Sequence, residues 1–411
     1  MKRGSPDAAG ITLRPSPVLF PLTGLAGGVA IANVFYCQPL LATVANVFHV
    51  DPAAAATWST LTQAGFAAGL LFVLPLGDVL DRRRLASALM LIASAALIAS
   101  ASAPNLAVLA LAGIAVGLAS MVSQLLVALA ADMAPDASRG RVVAWVMTGV
   151  LLGAQLSRTV AGFLAQAGGW RSVYYTAAVA AALLSALLWV ALPSSKTVGA
   201  VMYRTVLGSM VRLCVEEPEL RLRALYGALA MGAFSTFWTA AAFFLTGRPH
   251  HLSVAAIGLF SLAGLAAPGV AFLAGRLGDA GRSSEATGGF AALAVLGFAL
   301  AALGQHWLPS LAAAAALLTA GTIGLHVISQ GVALRLRPGA RSRLNAIYMT
   351  SFFLGGVAGS AAAGIVFKTG GWFAICALGG GVAAIAGLVW LYQRGLLVGS
   401  APGRAVPAAR T

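Results

Sequence analysis

Apolar residues run in long unbroken blocks along this chain, separated by short polar segments, without the two-residue alternation of strands. Blocks of roughly 17 to 25 residues suffice to cross a hydrocarbon core of roughly 30 Å as helix. The pattern predicts twelve spans, near 18–44, 55–76, 85–102, 106–131, 142–165, 171–192, 223–247, 254–274, 286–304, 309–334, 344–367 and 372–393. Backbone groups in lipid must be satisfied within their own segment, which selects helix, and the missing alternation argues against a barrel. The predicted fold is therefore all-α and polytopic. It has tails at 1–17 and 394–411, a six-helix bundle at 18–192, a linker at 193–222 and a second six-helix bundle at 223–393. The first apolar block is too long for a signal-peptide core, so it is predicted to stay as a helix.

Composition agrees with this. The chain of 411 residues is 60% hydrophobic and only 9% charged, against roughly a quarter charged in a soluble domain. The net charge of +15 raises nucleic-acid binding as a possibility. However, the basic residues sit in short loops and form no basic helix or aromatic platform. With the N-terminus placed in the cytoplasm, 22 of the 26 Lys and Arg fall on the cytoplasmic side. Arg171, Arg248 and Lys368 lie on the other side, and Arg158 lies inside a span. The positive-inside rule then predicts both termini in the cytoplasm of a bacterial inner membrane. Cys37, Cys214 and Cys376 have no partner at metal-ligand spacing and read as apolar fillers.

The two halves repeat. Residues 139–172 align without a gap on 341–374, matching Arg141 with Arg343, Met147 with Met349, Gly153 with Gly355, Gly162 with Gly364 and Trp170 with Trp372. The loop after span two, Gly77 to Arg84, has a counterpart after span eight, Gly275 to Arg282. Parallel repeats with a site between them are a common transporter architecture.

With these motifs the chain resembles the major facilitator superfamily over essentially its full length. Gly77, Asp81, Arg82 and Arg84 are similar to that superfamily's G-x-x-x-D-R-x-x-R/K loop, and Gly275, Leu277, Gly278, Asp279, Gly281 and Arg282 match G-x-L-G-D-x-G-R. ANVFYCQPLL (32–41) and ARSRLNAIYMTSFFLGG (340–356) are similar to a bacterial drug-efflux-like subgroup of the drug:proton antiporter type. The resemblance implies a monomeric secondary transporter without a cofactor. It would move a small organic solute across the bilayer by alternating access, with protons as the coupling ion. It also implies a cavity lined by spans one, four, seven and ten.

Each of those spans carries polar groups at i, i+3, i+4 spacing, which share one helix face. They are Asn33, Tyr36 and Cys37, followed by Gln38; Ser120, Ser123 and Gln124; Ser235, Trp238 and Thr239; and His326, Ser329 and Gln330. Such faces should meet a watery cavity or another helix rather than lipid. Small polar residues also serve helix packing, so both readings stand. All eleven carboxylates lie in tails, loops or span ends. This departs from relatives that hold a mid-membrane acid and puts a cationic substrate in doubt. His326 is then the one mid-span group titrating near neutral pH, either a coupling or substrate residue or a packing histidine. Arg158, roughly 24 Å into span five, either attracts an anion or snorkels to the outer interface.

Asp78, Asp81, Arg82 and Arg84, with Asp279 and Arg282 in the second half, form a candidate conformational latch, with Asp78 or Asp81 pairing to Arg139 or Arg141. No P-loop, zinc-hydrolase pattern or nucleophile elbow is present, so the chain is not read as an enzyme. His250 and His251 lack a third ligand and are read as solvated rather than metal-binding. The competing functional reading is a membrane sensor or scaffold with a transporter fold, for which the linker is the candidate docking segment.

Overall fold

The computed structural model describes residues 19–134, 138–193 and 203–399. The described residues are helical with no strand. Among the described residues, ten helices are separately long and apolar enough to span a membrane: α1 Leu19–Val47, α2 Pro52–Gly77, α3 Arg82–Ala101, α4 Leu106–Met133, α5 Gly140–Gly168, α6 Trp170–Ala191, α7 Pro218–Thr246, α8 Val254–Asp279, α9 Ser283–Leu303 and α10 Leu308–Arg335. The last stretch, Arg341–Gly399, holds two more, broken at Gly371 where φ is 63°. We call 341–370 α11 and 372–399 α12. All-helical architecture with long apolar segments is thus what the chain adopts.

Local chemistry sets the helix ends. Asp51 caps α2 by accepting from the Ala54 amide at 2.8 Å, and Pro52 occupies the first turn, where no intrahelical N–H is needed. Asn105 and Ser253 cap α4 and α8 in the same way. Gly169 (φ 78°) turns α5 into α6 as Gly371 turns α11 into α12, each followed by the tryptophan of the repeat. Left-handed φ is costly for any residue with a Cβ, which accounts for both glycines.

The repeat explains the packing. A Cβ on Gly153 of α5 would lie 2.1 Å from the Gly28 carbonyl oxygen of α1, and one on Gly355 of α11 would lie 2.0 Å from that of Ala228 in α7. These equivalent positions let backbones touch, the main source of helix association where lipid removes the hydrophobic drive. Gly162 and Gly364 do the same between the halves. A Cβ there would meet the Val254 oxygen of α8 at 2.7 Å and the Ala56 Cβ of α2 at 2.7 Å, respectively.

Two details differ from the sequence expectation. Span one is not one even helix: a 3-10 turn at Gln38–Leu40 interrupts it, because Pro39 has no N–H to donate. The linker is also not all irregular. An amphipathic helix, Tyr203–Glu216, occupies part of it, and α7 starts at Pro218 rather than 223. The Tyr203 hydroxyl donates to the Phe72 carbonyl of α2 at 2.7 Å, and Arg343 of α11 donates to the Ser209 hydroxyl at 3.0 Å. This helix therefore lies across the end of the molecule that carries the basic loops, touching both halves. α12 runs on to Gly399, into the predicted C-terminal tail, while the N-terminal tail, residues 194–202 of the linker and 400–411 lie outside the described residues.

Candidate functional site

Helices α1, α5, α7, α10 and α11 surround a cavity between the halves, with Gln124 of α4 at its edge. Its empty volume is about 770 Å³ including the part open to solvent. The wall is mostly apolar, with Phe35, Phe234, Phe352 and Met349 among its residues, and its polar groups are Gln124, Gln155, Arg158, Thr322, His326 and Gln330. No carboxylate is among them.

The cavity is sealed at the end away from the basic loops. There Thr159 of α5 donates to the Gly258 carbonyl of α8 at 2.8 Å, beside the Gly162 close approach. On the other flank Lys368 of α11 donates to Asp51 of α2 at 2.7 Å, beyond the Gly364 contact. The carboxyl of Asp51 is held below its ordinary value, first by this bond and then by the Ala54 amide. Mid-membrane, the Ser235 hydroxyl of α7 donates to Gln63 Oε1 of α2 at 3.0 Å, adding a polar tie between halves.

Arg158 lies at the sealed end of the cavity, about 28 Å along its helix from the basic side. It is buried, 2% exposed, and does not reach an interface. Its Nε donates to Gln38 Oε1 at 2.6 Å and Nη1 to the Ala154 carbonyl at 3.2 Å, while Nη2 has no partner. The guanidinium lies 4.9 Å from the Trp238 ring centroid, 5.0 Å from Phe35 and 5.2 Å from Phe234, so three aromatic faces enclose a cation with no counter-ion among the described residues. The 3-10 turn that breaks α1 is what brings Gln38 to it.

His326 stands on the opposite wall. Its Nδ1 is 3.0 Å from the Tyr348 hydroxyl, and that hydroxyl also donates to the His326 carbonyl at 3.0 Å. With the hydroxyl proton so used, Nδ1 carries the ring proton of the neutral imidazole, leaving Nε2 as the free nitrogen. The ring packs on Phe352 at 4.2 Å. Gln330, one turn on, donates to Asn345 at 2.9 Å.

The structure brings Arg158, Gln124, His326 and Gln330 to one cavity, with Gln38 and Trp238 holding Arg158 from behind. Asn33 and Tyr36 are buried but lie off the cavity wall, and neither amide atom of Asn33 has a partner. Of the small residues, Ser120 bonds its own helix and Thr239 meets Ser360 of α11. Gln155 is a wall residue that the sequence reading passed over because it lies on α5, although i, i+3 spacing to Arg158 marks their shared face.

The loop motifs make bonds within each half. Asp81 caps α3 through the Arg83 and Arg84 amides, and Arg82 bonds both the Gly77 carbonyl and Asp132 at the end of α4. In the second half Asp279 pairs with Arg335 of α10, and Arg282 with Glu285. The side chains of Asp78 and Arg139 lie outside the described residues.

The family model described as Major Facilitator Superfamily matches residues 23–301, well over half of the chain. The chain belongs to the major facilitator superfamily. Within this superfamily it is 41% identical over 375 residues to the uncharacterized transporter YgaY of Escherichia coli O157:H7, covering 91% of this chain and 95% of that one. It is 36% identical over 379 residues to a Streptomyces coelicolor protein named probable transporter SCO4007, covering 92% and 88%. Among solved structures, a bacterial homologue of the human lysosomal transporter Spinster, inward-facing and unoccupied, superposes with a TM-score of 0.73 at 15% identity, over 95% of this chain and 98% of that chain. Major facilitator proteins are membrane transporters rather than enzymes, and membrane transport is what these relatives are named for.

Proposed function

We propose that the chain exports a small organic solute by alternating access, driven by a proton gradient and exchanging solute for protons. The observation that carries this is the cavity itself: mid-membrane, between two related halves, closed at one end by backbone contacts and ion pairing, and furnished with few polar groups. With the basic loops and both termini cytoplasmic in the inner membrane, the closed end is the outer one and solute enters from the cytoplasm. His326 is the coupling group. It is a cavity residue with a protonatable ring, and its ring is oriented by Tyr348 so that Nε2 is free for a proton or solute. Gly77, Asp78, Asp81, Arg82 and Arg84, with Asp279 and Arg282, act as the conformational latch that holds one state until solute binding releases it.

A growth screen across toxic compounds tests this, using a strain lacking the protein and one overproducing it. Hits are then followed as radiolabelled flux in proteoliposomes. Resistance that tracks expression, with matching flux, is the expected result; a chain that moves none of the hits is a scaffold instead.

A further inference from the structure

Building on that reading, we infer that the solute is a small organic anion with an aromatic or otherwise flat apolar body, anchored by Arg158.

Burying a cation is expensive, and charged groups deep in membrane proteins ordinarily pair with one another. Arg158 has a neutral amide, a backbone carbonyl and three ring faces, and its Nη2 has no partner at all. The described carboxylates cannot supply a counter-ion, since Asp51 is engaged by Lys368, Asp132 by Arg82 and Asp279 by Arg335, all at helix ends. No described carboxylate supplies the missing negative charge, and we assign it to the solute. The cavity is where it arrives, because Arg158 is part of its wall.

The geometry suits a carboxylate, sulfonate or phosphonate head. Gln38 fixes Nε and the Ala154 carbonyl takes Nη1, leaving Nη2 as the unpartnered donor, and charge-assisted bonds to such a head are about twice as strong as neutral ones. Gln155, one turn before Arg158 on the same face, adds a carboxamide donor. Below the head, Phe35, Phe234, Phe352 and Met349 offer apolar surface to a flat body. Excluding carboxylates from this wall also removes what would repel an anion and attract a cation.

The test is equilibrium binding to the full chain in nanodiscs, followed by calorimetry with three probes of one shape: 2-naphthoate, 2-naphthamide and 2-naphthamidine. Naphthoate is expected to bind at least about tenfold more tightly than either of the others. Arg158→Gln should abolish that preference while Arg158→Lys keeps part of it. Should Arg158→Gln not fold, Gln38→Leu, which frees the guanidinium without removing its charge, must retain the preference for the anion. Equal binding of the three probes, a preference for the amidine, or no binding of naphthoate overturns the inference. Because binding is read without a gradient, a charge preference with no flux refutes the export reading alone, and flux of neutral compounds only refutes the anion reading alone.

Discussion

Tyr348 and His326 hold each other in a closed two-bond loop, the hydroxyl lying 3.0 Å from Nδ1 and donating to the histidine's own carbonyl at 3.0 Å. Tyr348 reaches this position because residue 227 of α7 is glycine; a Cβ there would come within 2.8 Å of the hydroxyl oxygen. The loop fixes which imidazole nitrogen is available to the cavity. His326→Gln should therefore make flux independent of an imposed pH gradient while leaving gradient-free solute exchange. Tyr348→Phe, which frees the ring to rotate, should weaken coupling without abolishing it. Proton-to-solute stoichiometry measured for the three proteins checks this ordering.

The outer ion pair makes a different statement about pH. Lys368 holds the Asp51 carboxyl below its ordinary value, so whatever the pair adds to closure is present above the unfolded carboxyl's pKa and lost only as pH falls through the lowered one. Both groups are exposed, and the contribution is small. Between pH 5 and 8 this ion pair should stay formed, and its contribution to closure should not change. Distances between spin labels at the outer ends of α2 and α11, followed across that range, should stay constant in His326→Gln.

Gly355 has a plain packing role. Since a Cβ would sit 2.0 Å from the Ala228 carbonyl oxygen, Gly355→Val must push α7 and α11 apart, at a cost of about 1–3 kcal/mol by analogy with overpacked cores. Gly153→Val should behave alike in the first half. Gly289→Ala, with open space around it, should leave the melting temperature in detergent unchanged and serves as the control.

Gln63 joins the halves through Ser235 in the middle of the membrane. Interhelical hydrogen bonds in membranes average about 0.6 kcal/mol, so Gln63→Leu should hardly alter the melting temperature. It should, however, shift the balance between inward- and outward-open forms by about threefold. Single-molecule transfer efficiency between dyes on the two halves reads that shift.

Much of this was legible before the coordinates. Spans were readable because lipid leaves helix as the only option, and the offset of 202 residues announced which helices would play equivalent parts, as Gly153 and Gly355 then do. The polar face of α10 pointed to His326 and Gln330. Other features needed three dimensions. Arg158 read equally as an anion site or a snorkelling side chain, because the aromatic faces around it come from α1 and α7, far away in sequence. Asn33 and Tyr36 share a helical face, yet periodicity does not say which neighbour that face meets. The linker helix escaped notice because its charges, Arg204, Arg212 and Glu216, read as a solvated loop when its apolar face had no visible partner.

Transport of a labelled hit from the growth screen into inside-out proteoliposomes tests the central claim most directly, comparing an acid interior, an acid exterior and no gradient. Accumulation well above the equilibrium level with the acid interior, collapsing when protonophore is added and absent in His326→Gln, is the expected result. Uptake that ignores the pH gradient, or that His326→Gln leaves fully gradient-driven, contradicts it.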